Sequence, residues 1–151
     1  MKPANVCWSD EHSRDASKVF LIDLEFIGQR GDGRGGFRGS PLYAGTQHLR
    51  LHRCSRGDDL DALGQMVALW AGYELPWAHM QIEPGNRDSY EELASAKDVT
   101  KWGSLSSAPA GSLGSRLIKF IAAARALPPD GEDGGDENID YAHFEELLVS
   151  G

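Results

Sequence analysis

Between Ala62 and Ala71 the chain reads Ala-Leu-Gly-Gln-Met-Val-Ala-Leu-Trp-Ala, with Gln65 as its one polar side chain. A helix with one side in water shows a polar stripe at every turn, whereas a helix that is apolar all round is buried on nearly every side. The stretch from Ser55 to Trp77 therefore predicts a central helix against which the rest of the chain packs. Ser55 fits the N-cap position, with Asp58 three residues on in a weaker form of the capping box. Asp58, Asp59 and Asp61 are expected in the first turn, where the helix dipole favours negative charge. Gly72 and Pro76 stop the helix. On its own this pattern suits the core helix of any α-rich domain.

The length of 151 residues allows one domain or part of one. A hydrophobic share of 40% with 25% charged residues fits a globular protein in water, and 18 glycines predict long loops. The net charge of -8 is unevenly spread: Asp130, Glu132, Asp133, Asp136 and Glu137 form a run with no base among them. Outside that run 15 bases face 18 acids, so most of the excess belongs to a single loop. Cys7 and Cys54 are too few for a disulfide framework, which points to a reducing compartment. With neither a signal peptide nor a long apolar span in view, the expected location is intracellular, cytoplasmic or nuclear, and away from membranes.

Lys18-Val19-Phe20-Leu21-Ile22-Asp23 is an apolar run bounded by charge and reads as a short buried strand. Upstream lies Lys2-Pro3-Ala4-Asn5-Val6. Asn5 in a loop and Asp23 at a strand end offer two hard oxygen ligands of the kind Mg2+ prefers, with phosphate and water completing the shell. A turn asparagine and a capping aspartate would give the same residues. From Gly28 to Gly39 the chain is a glycine-rich loop. Six arginines and one acid, Asp32, stand between Arg30 and Gly57, a local balance that attracts phosphate or acidic peptide, or simply keeps a loop solvated.

Arg34-Gly35-Gly36-Phe37-Arg38-Gly39 is similar to an RGG box that contacts single-stranded RNA. It is a single copy in an acidic protein, against the usual basic footprint, so nucleic acid is the weaker expectation. His48, His52 and Cys54 could be grouped as metal ligands, but no fourth ligand stands at a matching spacing, and surface histidines account for them better.

Two separated pieces become informative together. Lys2-Pro3-Ala4-Asn5 resembles the Lys-Pro-x-x-Asn end of the protein-kinase catalytic loop, and Ile22-Asp23-Leu24-Glu25 stands in the place of the metal-binding Asp-Phe-Gly. Phe37-Arg38-Gly39-Ser40-Pro41-Leu42-Tyr43-Ala44 is similar to the stretch that closes the activation segment in the tau-tubulin kinase branch of the casein kinase 1 superfamily. Ser55-Arg56-Gly57-Asp58-Asp59-Leu60-Asp61-Ala62-Leu63-Gly64 matches that superfamily's Ser-Arg-Arg-Asp-Asp-Leu-Glu-Ser-Leu-Gly, and Leu75-Pro76-Trp77 follows in order. Further on, Ser89 to Thr100 predicts a peripheral helix and Trp102 to Ser112 a loop. Ser115 to Leu127 predicts a helix capped by Ser115, with Leu117, Ile121 and Ala124 on one face. Arg125-Ala126-Leu127 stands where the family has Arg-Gly-Leu, and Ile139 to Leu148 resembles its Pro-Asp-Tyr-x-x-Leu-x-x-Leu-Leu.

The resemblance implies a mainly α fold like a kinase C-terminal lobe, with a short strand and activation-segment region and no N-terminal lobe. It divides the chain into the end of the catalytic loop and metal-binding strand (1–24), the activation segment (25–54), the central helix (55–72) and peripheral helices and loops (73–151). It implies that Asn5 and Asp23 hold Mg2+ on ATP phosphates, and that Lys2 neutralises the transferring phosphoryl group. Ser40 would hydrogen-bond the catalytic loop, and Asp59 would be the buried acid that holds that loop's backbone.

The family's catalytic base stands five residues before the metal-binding Asn, which here falls just ahead of Met1. The expectation is therefore a piece of, or a module derived from, a longer serine/threonine kinase. Mg2+ and ATP would be used by that parent, a protein would be the substrate or partner, and the chain alone would be inactive. A non-catalytic pseudokinase-like binding module is the alternative. Glu25 in place of a glycine and Leu42 in place of an arginine bear on nucleotide and anion binding respectively.

Overall fold

The computed structural model describes residues 1–8, 18–23, 37, 39–51, 55–128 and 139–149. Their architecture is mainly α-helical, with a small two-stranded sheet. The central helix, α2 (Arg56–Trp70), forms where the apolar run predicts it. Ser55 accepts a hydrogen bond from the Asp58 amide while the Asp58 carboxylate accepts one from the Ser55 amide, a full capping box. Asp58 and Asp59 lie in the first turn; Asp61 is one step further, turned into the protein. Burial runs from Gly57 to Ala68 and then fades, with Trp70 and Ala71 exposed. The chain leaves through Gly72 at φ +84°, a left-handed conformation that glycine adopts without a Cβ clash.

Packing around α2 explains its lack of a polar stripe. Helix α4 (Leu113–Ala126) runs against it, and Gly64 makes the approach possible: a Cβ there would stand 2.5 Å from Ile121 Cγ1. Leu117, Ile121 and Ala124 of α4 are all buried, the face expected from their spacing. The cap of α4 is Ser112 rather than Ser115, and its hydroxyl accepts from the Ser115 amide. Helix α5 (Tyr141–Val149) closes the other side of α4 through an edge-to-face pair of Phe120 and Phe144, 5.2 Å between centroids. The peripheral helix, α3 (Arg87–Ala96), begins two residues earlier than expected because Asn86 caps it, accepting from the Asp88 and Ser89 amides. Trp77 and Trp102, 4.7 Å apart and edge-on, fill the space below α3.

A short helix, α1 (Thr46–Leu51), was not foreseen from the sequence. It follows a 3-10 turn, Pro41–Tyr43, and packs on α3, where Arg50 Nε meets Glu91 at 3.1 Å.

The strand expected over Lys18–Asp23 forms as β2 (Val19–Leu21), paired antiparallel with β1 (Val6–Trp8) in the register Val6 to Leu21, Cys7 to Phe20 and Trp8 to Val19. Its burial is corrected: Val19, Phe20, Leu21 and Ile22 are each about half exposed. The side chains of β2 lie outside the helical core. Pairing with β1 satisfies one edge of the strand, and its other edge faces away from the partner.

Candidate functional site

The ribbon carries the residues that the sequence pattern singles out for chemistry. Pro3–Asn5 form a 3-10 turn directly before β1, and Asp23 lies two residues beyond β2. The antiparallel register therefore brings positions 5 and 23 side by side: the Ile22 amide donates to the Asn5 carbonyl at 2.9 Å. Asn5 Nδ2 donates to Asp23 Oδ2 at 3.2 Å, and Lys2 Nζ stands 3.7 Å from the same oxygen. Two residues of the first segment thus converge on the one carboxylate of the second. Asp23 holds φ at +57°, a left-handed backbone that aspartate tolerates better than most residues and that turns its side chain back toward the loop of Asn5.

The donor set fits a magnesium-type cation. If the Asn5 amide is turned over, its oxygen takes the place of Nδ2, 3.2 Å from Asp23 Oδ2. Two cis ligands of an octahedral Mg2+ lie about 3 Å apart, given bonds of about 2.1 Å. Two oxygens leave most of the shell to phosphate and water, the usual arrangement for Mg2+ bound with a nucleotide. Among the described residues no group of three or more His, Cys, Asp or Glu side chains could hold a metal by itself. His48, taken above for a surface residue, is buried with its ring 4.6 Å from that of Phe37. His52 and Cys54 fall outside the described residues, as do Glu25, Arg34, Arg38 and the acidic run from 130 to 137.

The two expected supports are placed differently. Ser40 is half-buried before the Pro41–Tyr43 turn, where its carbonyl accepts from the Tyr43 amide and its hydroxyl makes no capping bond. Asp59 is exposed on the outer side of the first turn of α2, which corrects the expectation of a buried acid. The buried carboxylates are its neighbours in the pattern. Asp58 receives the His48 amide at 2.8 Å and the Ser55 hydroxyl at 2.7 Å. Burial pushes its carboxyl above the usual range, while the bonds from Ser55 and His48 pull it back down.

Asp61 receives the Thr46 amide at 3.1 Å and Gln65 Nε2 at 2.9 Å, and meets Arg125 in a two-pronged pair, Nε at 2.9 Å and Nη2 at 3.1 Å. These two acids hold the start of α1 to α2. Leu42, standing where an arginine was noted as missing, packs on the core. Its carbonyl accepts the Trp77 indole N–H at 2.9 Å.

Sequence reasoning missed Lys97. It caps the C-terminus of α3, is fully buried, and donates to Ala44 O at 2.6 Å, Gln65 Oε1 at 3.1 Å and Pro41 O at 3.3 Å. Its ammonium lies 5.3 Å from the Trp77 ring centre. Burial lowers its pKa to about 7; Asp61 and Asp58 act against that shift, and Arg125 adds to it. Gln65, the single polar side chain of the apolar run, was the available signal, because a buried amide needs partners.

A helical body with an exposed ribbon that gathers Lys2, Asn5 and Asp23 is the architecture that comparison with known proteins can test. The chain is 26% identical over 158 residues to casein kinase I homolog 2 of Schizosaccharomyces pombe, an alignment covering 98% of this chain and 34% of that protein. It is 27% identical over 161 residues to casein kinase I homolog 2 of Saccharomyces cerevisiae, covering 99% of this chain and 27% of that protein. The similarity is low but runs the length of the chain, and relates it distantly to the kinase superfamily. The chain spans about a third or less of the curated relatives that it matches. No protein-family model matches it. No helix among the described residues is long and apolar enough to cross a membrane.

Proposed function

We propose that this chain corresponds to the C-terminal lobe of a casein kinase 1-type serine/threonine kinase, nearest the tau-tubulin kinase branch, and carries the metal-binding half of its active site. The observation that carries the reading is the convergence of Lys2 and Asn5 on Asp23 across 18 positions of sequence. Asn5 and Asp23 would hold Mg2+ against nucleotide phosphates, and the bound ion would neutralise charge that develops during phosphoryl transfer. Lys2 adds a positive charge beside the same carboxylate, 3.7 Å from its Oδ2, and would offset charge on a phosphoryl group held there. In this reading 1–24 supplies the end of the catalytic loop and the metal-binding strand, 25–54 the activation segment, 55–72 the central helix and 73–151 the peripheral helices and loops. The parent's substrate is a protein.

The Asp23 side chain is 45% exposed, and the expected missing lobe is what would enclose adenine. Affinity of the isolated chain for Mg-ATP is accordingly weak, and phosphoryl transfer by it is absent. Calorimetric titration of the chain with ATP, with and without Mg2+, tests the reading. Expected is weak binding that needs Mg2+ and is lost in Asp23→Ala and in Asn5→Ala. Binding that is unchanged in both variants would remove the proposal, and substrate phosphorylation by the purified chain would overturn the expected inactivity.

A further inference from the structure

Helices α4 and α5 border a cleft of about 260 Å³ lined by Arg116, Lys119, His143, Glu146 and Leu147. The edge-to-face contact of Phe120 with Phe144, the sequence neighbours of Lys119 and His143, fixes the two helices against each other. The His143 ring stands edge-on to Phe144, 5.9 Å between centroids. Arg116 and Lys119 are three positions apart on α4, so the two bases share one face, where like charges repel. Arg116 is the fourth residue of α4 and His143 the third of α5, and the dipole at a helix N-terminus disfavours a base. Glu146 is the one acid of the lining, and nearby Asp140 is taken up by the His143 amide at 3.1 Å. Among the described residues the side chains of Arg116, Lys119, His143 and Glu146 make no hydrogen bond or ion pair, and Arg116 Nε is buried without an acceptor. A buried donor left unmade is costly, and a cluster of bases without a counter-charge adds to that cost. An oxygen-rich anion in the cleft would meet both.

We propose that the cleft between α4 and α5 is an anion site for the phosphate group of a small monoester, with Arg116 as its principal contact. Phosphate suits the donor set: the guanidinium offers a planar fork to two oxygens, the Lys119 ammonium a point charge and the His143 ring an N–H, and a phosphate has oxygens for all three. Leu147 supplies an apolar wall for the organic part. The volume is below the roughly 300–1,000 Å³ usual for a drug-sized ligand, so the cleft takes a phosphate with a small substituent and excludes a whole nucleotide. Glu146 repels further anionic groups and turns the choice against polyphosphates. The site uses neither Asn5 nor Asp23 and goes beyond the kinase reading.

Amide chemical shifts of the 151-residue chain, followed by NMR as inorganic phosphate or phenyl phosphate is added without Mg2+ at constant ionic strength, test this. At about pH 8 both probes are dianions. Expected are saturating shifts confined to residues 115–120 and 142–147, at roughly millimolar concentration, with phenyl phosphate the tighter of the two. Arg116→Gln weakens binding about tenfold or more, the scale of a charge-assisted hydrogen bond, and Arg116→Lys, which keeps the charge but loses the fork, falls in between. Glu146→Gln strengthens it. Shifts that never saturate, that an equal series of chloride reproduces, or that persist unweakened in Arg116→Gln overturn the proposal. Inorganic phosphate that binds as tightly as phenyl phosphate overturns the assignment to a monoester. Loss of the shifts in Asp23→Ala would move the ion to the ribbon and overturn the site as well. Failure here leaves the kinase reading untouched, and repeating the Mg-ATP titration on Arg116→Gln keeps nucleotide phosphates in this cleft from being counted in it.

Discussion

Asp61 accepts four hydrogen bonds in a place that excludes water, two of them from Arg125. Truncating one member of a buried pair strands the other's charge, so Asp61→Ala or Arg125→Ala costs about 3–5 kcal/mol. Urea denaturation should show the double variant losing much less than the sum of the two single losses, since the second truncation removes a charge that is already unpaired. Lys97 gives the opposite signature. Its folded pKa, about 7, lies below its ordinary value of 10.5, so the unfolded chain binds more protons between those two values. The full cost of the charge is present below pH 7 and is relieved as pH rises toward 10.5. Thermal melts of the wild type should therefore gain stability from pH 7 to 9 relative to Lys97→Met; equal slopes for the two proteins would contradict the assignment. The motif order pointed to Asn5 and Asp23 as a pair, and the β1–β2 register sets them side by side. Lys97 was not legible in the sequence, because a lysine at the end of a helix reads as solvent-facing until the loop it binds is folded over it.

Helix α2 was legible almost whole, from cap to stop, because composition and capping point the same way along it. Replacing Ser55 with Ala removes half of its capping box and should lower stability by about 0.5–2 kcal/mol in the same denaturation assay. Gly64→Ala should also destabilise, by about 1–3 kcal/mol, because the added methyl meets Ile121 at 2.5 Å and α4 must move to admit it. Helix propensity alone would favour alanine there, so a stability gain would show that the two helices can separate without loss. The start of α3 moved two residues forward of Ser89 because Asn86 caps it, and the cap of α4 moved three residues, from Ser115 to Ser112. Helix α1 escaped notice because its six residues carry little periodicity, and its first amides are satisfied by Asp61 and Asp58 from another helix. Strand β2 was read correctly as a strand and wrongly as buried, since an apolar run specifies pairing but not what lies above the sheet.

The molecule as a whole divides unequally. Helices α1 to α5 share one core built on Trp77, Trp102, Phe120 and the buried faces of α2 and α4, whereas the side chains of Val19, Phe20 and Leu21 on β2 stand half exposed outside it. The mainly helical character was readable from the pattern of apolar runs, and the distant relation to casein kinase I proteins from the order of short motifs. The separateness of the ribbon was not, because it depends on what fails to pack. Melting of the ribbon and of the helices should accordingly occur in two steps. Site-resolved labelling of the Cys7 thiol on β1 should report opening at lower denaturant than circular dichroism reports loss of helix. Coincident transitions would show that the two parts unfold as one. A strand whose apolar side chains stand half exposed can also change its residues at little expense to folding. Its chemistry is free to drift or disappear across generations while the helical scaffold persists, and the scaffold is then the more durable record of ancestry.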